Sequence, residues 1–323
     1  MAEKRRETPR GAAIRGAGGG VDVTRALKSV VTIQATIPED AYTAETLGEQ
    51  RAGSGVVIRD TGLILTIGYL ITEAESIWIA RHDGRVAPGH ALAIDAESGF
   101  GLIQALDQID VPPIALGRSS EAEIGDAVVV AAGAGTKAVQ ATITAKQPFS
   151  GYWEYFLEEA IFTSPAHPFW GGAAAIDRAG RLIGIGSLHV EQPSEAGGPR
   201  DANMIVPIDL LHPILDDLLA HGRVSRPSRP WLGLYSTESG GQVVVAAIAD
   251  RGPAAETGLR RGDIVASVAG SEVADLADFY HKVWRCGPAG AEIPVEIVRE
   301  QRVLGVRIRS ADRTSYLKRP KLQ

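Results

Sequence analysis

Ser164 and His167 stand three residues apart in Thr163-Ser164-Pro165-Ala166-His167. A hydroxyl and an imidazole are parts of an acyl-transfer site, where the base takes the alcohol's proton as it attacks a carbonyl. The two side chains must then meet within hydrogen-bond reach. Pro165 and Pro168 keep this stretch extended or turned, and a pair so close in sequence rarely reaches attack geometry. The plain expectation is a loop hydroxyl and a surface imidazole. His189 reads as a strand-end surface histidine in GRLIGIGSLHV (180–190). His82 and His90 flank a turn without acid or cysteine partners at ligand spacing, so no metal site is expected. A single cysteine, Cys286, excludes an internal disulfide and a multi-cysteine zinc site. Gly18–Gly20 is no phosphate loop, since no strand precedes it and no Gly-Lys-Ser/Thr follows. No cofactor is expected.

The elements that must position any site are short. A chain of 323 residues makes two domains or one large one. With 45% hydrophobic and 22% charged residues it can build real cores. The net charge of -6 argues against a nucleic-acid coat. No apolar run reaches the roughly 18 residues of a spanning helix. Arg5-Arg6 invites a twin-arginine reading, but Arg15 and Gly18–Gly20 interrupt the apolar segment that an export signal needs. Residues 1–24 are therefore expected to be a disordered basic and glycine-rich tail. Cytoplasmic residence follows by default, with periplasmic export open only if the start is misassigned. From residue 25 onward, β-like runs of 5–8 residues, such as VVTIQATI (30–37) and AVVVAAG (127–133), alternate with turn residues. That spacing predicts antiparallel barrels or sandwiches. RDTG (59–62) and DRAG (177–180) read as hairpin turns. IDLLHPILDDLLAHGRV (208–224) has helical spacing and reads as a linker helix. RPSRP (226–230) is a stiff, charged joint. The chain thus divides into 25–225, a second module at 226–310 that mixes strands with two helices, and a frayed basic tail at 311–323.

The order of segments resembles the high-temperature-requirement (HtrA) family, a trypsin-like double β-barrel followed by a PDZ domain. GSGVVI (53–58) before GLILT (62–66) is similar to that family's first-barrel hairpin. DGR (83–85), LGRSSEAEIGDAVVVAAG (116–133), DRAGRLIGIG (177–186) and VPIDLL (206–211) match further framework stretches. WLGL (231–234) and PAAETGLRRGDIVASVAG (253–270) match the PDZ module, the latter being the most specific text in the chain. The resemblance covers roughly residues 25–308 and implies a mainly β fold: a double antiparallel barrel, then an α+β PDZ domain. It also implies work in protein quality control.

What the resemblance carries over residue by residue is a degenerate triad. The family places its histidine after the GLILT strand, where Thr66-Ile67-Gly68-Tyr69 puts Tyr69. Its aspartate falls at Gly99 in Asp95-Ala96-Glu97-Ser98-Gly99-Phe100-Gly101. Its nucleophile falls at Trp170 in Pro168-Phe169-Trp170-Gly171-Gly172. A phenol with a pKa near 10 is a poor base at neutral pH, and an indole has no lone pair for attack. Loss of all three implies a pseudoprotease.

The PDZ module then carries the expected function. Such a domain adds an extended C-terminal peptide to its sheet and holds the carboxylate with backbone N–H groups. The resemblance puts the carboxylate loop at Trp231, Leu232, Gly233 and Leu234, with the receiving strand running on through Tyr235. Leu276, Tyr280 and Val283 share a helix face at i, i+4, i+7 and line the groove, while Phe279 and Trp284 face the core or its edge. The expected partner is a peptide or protein C-terminus with an apolar last residue. The alternative in which all of these are core residues and Trp231 closes the groove stays open. So do an active endopeptidase with another site, a modulating subunit of an active relative, and homo- or hetero-oligomers. The aromatic run GYWEYF (151–156) reads as core or interdomain packing in preference to an exposed contact patch.

Overall fold

A computed structural model describes residues 23–193 and 197–318. Residues 1–22 of the expected N-terminal tail lie outside the described residues. Short helices α1 (Val23–Lys28) and α2 (Ala44–Leu47) flank the first strand. Strands β1 (Val30–Thr36), β2 (Gln50–Arg59), β3 (Leu63–Ile67), β4 (Ser76–Ala80), β5 (Val86–Ile94) and β6 (Phe100–Ala105) close into a barrel in the order β1-β2-β3-β6-β5-β4. A second closed barrel follows, with β7 (Ala127–Ala132), β8 (Lys137–Gly151), β9 (Tyr155–Ser164), β10 (Ala174–Ile176), β11 (Leu182–Pro193) and β12 (Pro199–Pro207) in the order β10-β11-β12-β9-β8-β7. The pairings within both barrels are antiparallel. Closure removes exposed sheet edges. Val, Ile, Leu and Phe fill the interiors, among them Ile33, Leu65, Phe100 and Leu102 in the first and Val130, Ile143, Ile161 and Ile205 in the second, all fully buried. Each such side chain contributes roughly 1.5–3 kcal/mol of burial. The RDTG and DRAG turns place Gly62 at φ +79 and Gly180 at φ +72, the left-handed conformation that glycine adopts without steric cost.

After the barrels the chain forms α3 (Leu215–His221) and an α+β module. Its strands are β13 (Leu234–Ser239), β14 (Gln242–Ile248), β15 (Ile264–Val268), β16 (Ser271–Glu272), β17 (Glu292–Arg299) and β18 (Arg302–Arg309), with β13 at one edge of the sheet. Helix α4 (Leu276–Arg285) is capped by Asp275, whose carboxylate accepts from the Asp278 N–H at 2.8 Å, the N-cap arrangement that satisfies a free helix donor. The buried stripe Leu276, Phe279, Tyr280 and Val283 faces the sheet.

Two sequence expectations are corrected. The linker helix is not continuous over 208–224. A 3-10 turn covers Ile208–Leu210 and only Leu215–His221 is α-helical. Pro213 has no N–H and disfavours α conformation in the residue before it, so the apolar spacing cannot be met by one helix. The tail after residue 310 is not frayed within the described residues. Arg313–Tyr316 is a 3-10 turn, Tyr316 packs on Tyr42 and Trp231, and the Lys318 N–H donates to Glu73 of the first barrel at 2.9 Å. The joint at 226–230 is bolted down as well as stiff, because Arg226 and Arg229 each hold Glu97 at 2.9 Å. No helix among the described residues is long and apolar enough to cross a membrane.

Candidate functional site

The barrels meet at a cleft whose floor is backbone. The Ser54 N–H donates to the Gly171 carbonyl at 2.8 Å, and the Gly172 N–H to the Gly186 carbonyl at 2.8 Å. Gly172 sits at φ +75, where a Cβ would lie 1.8 Å from the Ser54 oxygen, so only glycine fits. Into this cleft the structure brings Tyr69 and Trp170. Tyr69, on the 3-10 turn after β3, donates its hydroxyl to the Ser187 carbonyl on β11 at 2.9 Å. The same hydroxyl lies 2.8 Å from where a Cβ on Gly171, the residue after Trp170, would be. Burial pushes the Tyr69 pKa far above the ordinary tyrosine value. A neutral phenol committed to a carbonyl takes no proton from an alcohol. Trp170 is 36% exposed and lies tilted against His189 at 5.5 Å between ring centroids.

Gly99 lies one backbone hydrogen bond away, its carbonyl accepting from the Gly68 N–H at 2.7 Å. It holds φ +83, and a Cβ there would approach the Tyr155 hydroxyl to 3.0 Å. That hydroxyl donates to the Ser98 carbonyl at 2.7 Å, so the space an orienting carboxylate needs is taken. The nearby acid, Asp95, is spent on its own turn, accepting from the Ser98 N–H at 2.8 Å.

One residue bearing on the chemistry was missed in the sequence. In the trypsin-like template, the backbone N–H of the nucleophile and of the residue two before it bind the oxyanion. The residue two before Trp170 is Pro168, which has no N–H. The intervening Phe169 N–H is already given to His167 Nδ1 at 3.0 Å. His167 is not the surface imidazole expected from the sequence. It is 1% exposed, its backbone is clamped by Asn203 at 2.6 and 3.2 Å, and burial lowers its pKa. Ser164 Oγ donates instead to the Asp201 carbonyl at 2.9 Å, so the serine–histidine pair is not assembled.

In the α+β module, Leu232, Leu234, Leu276, Tyr280 and Val283 are buried, and Gly233 is at φ +75. Trp231 turns away from the groove, bridging Ala311 with reciprocal 3.0 Å hydrogen bonds and packing on Tyr42 and Tyr316. Tyr235 faces Tyr152, ring centroids 6.0 Å apart. Trp284 stacks on Tyr280 and meets Phe156 of the second barrel, with Arg229 4.0 Å above its ring. GYWEYF is split: Tyr152 is exposed, Tyr155 lies in the barrel core, and Phe156 joins the core of the α+β module.

The loop expected from the sequence to hold a terminal carboxylate faces this chain's own Glu154. Leu232 N–H donates to its carboxylate at 2.9 and 3.2 Å and Leu234 N–H at 2.9 Å. Burial raises the Glu154 pKa to about 7, against the lowering effect of the hydrogen bonds from Leu232 and Leu234 and of the Arg313 charge.

Comparison with known proteins places the chain. A trypsin-like peptidase domain model matches residues 53–185, and a PDZ domain model matches residues 230–309. A probable periplasmic serine endoprotease DegP-like of Pseudomonas fluorescens is 28% identical over 270 residues, covering 78% of this chain and 54% of the relative. Serine endoprotease DegS of Escherichia coli is 26% identical over 276 residues, covering 79% of this chain and 75% of the relative. The chain therefore spans about half the length of the DegP-like relatives it matches. The solved HtrA-type protease AlgW with tripeptide superimposes at a TM-score of 0.53, with 24% identity over 93% of this chain and 97% of that one. A serine endoprotease from Yersinia pestis superimposes equally well, at 22% identity over 91% of this chain and 99% of that one. Both show the fold. The expectation of cytoplasmic residence is corrected by these relatives, since the DegP-like proteins are named as periplasmic; it rested only on an export signal not recognised in the first residues. Mainly β, with two closed barrels ahead of a PDZ domain, the chain belongs to the HtrA-like proteins.

Proposed function

We propose that this is a non-catalytic HtrA-like homologue that works in the periplasm and binds protein C-termini through its PDZ domain, in a scaffolding or regulatory role. The observation that carries the loss of hydrolysis is the cleft itself, where the Tyr69 hydroxyl is given to the Ser187 carbonyl at 2.9 Å and Trp170 stands where a serine is needed. Serine proteolysis needs an alcohol, a base and an orienting acid that act as a unit. Tyr69, Gly99 and Trp170 supply none of these, and Pro168 withdraws an oxyanion donor. The periplasmic setting is carried over from the DegP-like relatives.

Support for peptide binding comes from the loop 231–235. Its N–H groups point at a carboxylate, as a terminal carboxylate site requires. The side chains around it, Leu232, Leu234, Leu276, Tyr280 and Val283, favour an apolar last residue. Labelling with a serine-directed fluorophosphonate, with trypsin alongside, tests the first half: this chain takes up no label. Fluorescence anisotropy with decapeptides ending in free Val, Leu or Phe tests the second, with amidated versions as controls. Binding that ignores amidation would refute recognition of the C-terminus.

A further inference from the structure

We propose that the turn at 151–154, at the tip of the β8–β9 hairpin, is a built-in ligand of the PDZ groove, with Glu154 standing in for the terminal carboxylate of a peptide. The proposal rests on the reading of 231–235 as the carboxylate loop. Four observations carry it. First, the Glu154 carboxylate takes the N–H groups of Leu232 and Leu234, amides of the loop that would hold a chain terminus. Second, the Tyr152 carbonyl accepts from the Ser236 N–H at 2.9 Å. Tyr152 lies beside residue 236 and Glu154 beside 232–234, so the turn runs antiparallel to β13 and towards the loop. It adds a rung to the free edge of the sheet, as an added peptide strand does.

Third, helix α4 closes the other side of the groove. The Tyr280 hydroxyl donates to the Gly151 carbonyl at 2.7 Å and accepts the Glu154 N–H at 3.3 Å. Fourth, Glu154 is held at φ +60, a left-handed conformation uncommon for a residue other than glycine. Its place in the groove is imposed by these contacts rather than by local preference.

A tethered ligand competes at high effective concentration. The apparent affinity for a free C-terminus therefore falls by the fraction of molecules whose groove is open. The tether is short, and its rung on β13 is the bond from the Ser236 N–H. A longer peptide reaches further along β13 and so can displace it. Occupation of the groove then frees the β8–β9 hairpin and signals to the second barrel that a C-terminus has bound.

The test uses the full chain as wild type, Glu154→Gln and Glu154→Ala, with fluorescein-labelled decapeptides ending in free Val, Leu or Phe and their amidated counterparts. The expected result is binding at least about tenfold tighter in Glu154→Ala than in wild type, with no response to amidated peptide. Equal affinity in all three proteins would overturn the latch and leave the peptide site standing. No binding by any of them, with unchanged melting temperatures, would overturn the peptide site and the latch together. Hydrogen exchange on the wild type serves if a variant does not fold. Saturating peptide should deprotect 151–156 while protecting 232–236. Protection of 232–236 with 151–156 unchanged would refute displacement.

Discussion

At the scale of single residues, the cleft resists repair. Trp170→Ser restores an alcohol but no base, and Tyr69→His then lacks an acid. Gly99→Asp would supply one only at φ +83 and against the Tyr155 hydroxyl. We expect Gly99→Asp to lower stability by about 1–2 kcal/mol, read as a fall in the denaturation midpoint. The triple variant Tyr69→His, Gly99→Asp, Trp170→Ser should still lack useful activity, because a missing oxyanion donor alone costs about 10²–10³ in rate. Adding Pro168→Gly should raise whatever hydrolysis the triple variant shows. A quadruple variant no faster than the triple one would refute the role assigned to that proline. The replacements at 69, 99 and 170 were legible in the sequence because each sits in its own local motif. Pro168 was equally visible there, two residues before Trp170. A triad motif is a pattern of side chains, however, whereas the oxyanion donors belong to the backbone, so the motif carries no mark of their loss.

At the scale of elements, the docking we propose for the hairpin β8–β9 in the groove between β13 and α4 should depend on pH. Docked Glu154 has its pKa raised to about 7 from an ordinary value of 4.5. The docked form therefore holds more protons than the undocked form between those values, and raising the pH through this window weakens docking. Above about 7 the effect is complete. The groups that face Glu154 are Arg313, Tyr280 and Tyr235, and burial pushes both phenols above the ordinary tyrosine value. Affinity for a free C-terminal peptide should thus rise about three- to tenfold from pH 5 to pH 7.5 in the wild type. In Glu154→Gln it should stay flat. A wild-type profile matching that of the variant would assign the pH dependence elsewhere. Strand runs, hairpin turns and the PDZ segment at 253–270 could be read from sequence because period and turn chemistry are local properties. The occupant of the groove could not. Glu154 and Leu232 are 78 residues apart, and a glutamate between aromatic residues carries no mark of the loop it will enter. The shortened helix at 208–224 was legible in principle, since Pro213 already forbade continuity, but the apolar spacing outweighed it.

At the scale of the whole molecule, barrels and PDZ domain share a boundary that belongs to both. Phe156 leaves the second barrel to join the PDZ core, while Arg226 and Arg229 tie the joint to Glu97 beside Gly99. The residues after 310 return to the first barrel through Lys318 and Glu73. We expect the wild type to unfold in one calorimetric transition. Phe156→Ala, at a cost of about 3–5 kcal/mol, should separate the melting of the PDZ domain from that of the barrels. Two transitions already present in the wild type would contradict this coupling. These closures join segments distant in the chain, so the order of domains is written in local motifs but their union is not. If the chain does not cut, the barrels still have work to do, because they supply the β8–β9 hairpin that we propose docks in the groove. The central claim is that this fold binds and does not cut. Its most direct test is incubation of the purified full chain with fluorogenic casein across a pH range from about 7.5 to about 9, where a serine protease's histidine base is neutral. The account predicts no hydrolysis above buffer in any fraction. Hydrolysis that co-purifies with the chain, is abolished by fluorophosphonate, and leaves the label on a serine of this chain would contradict it.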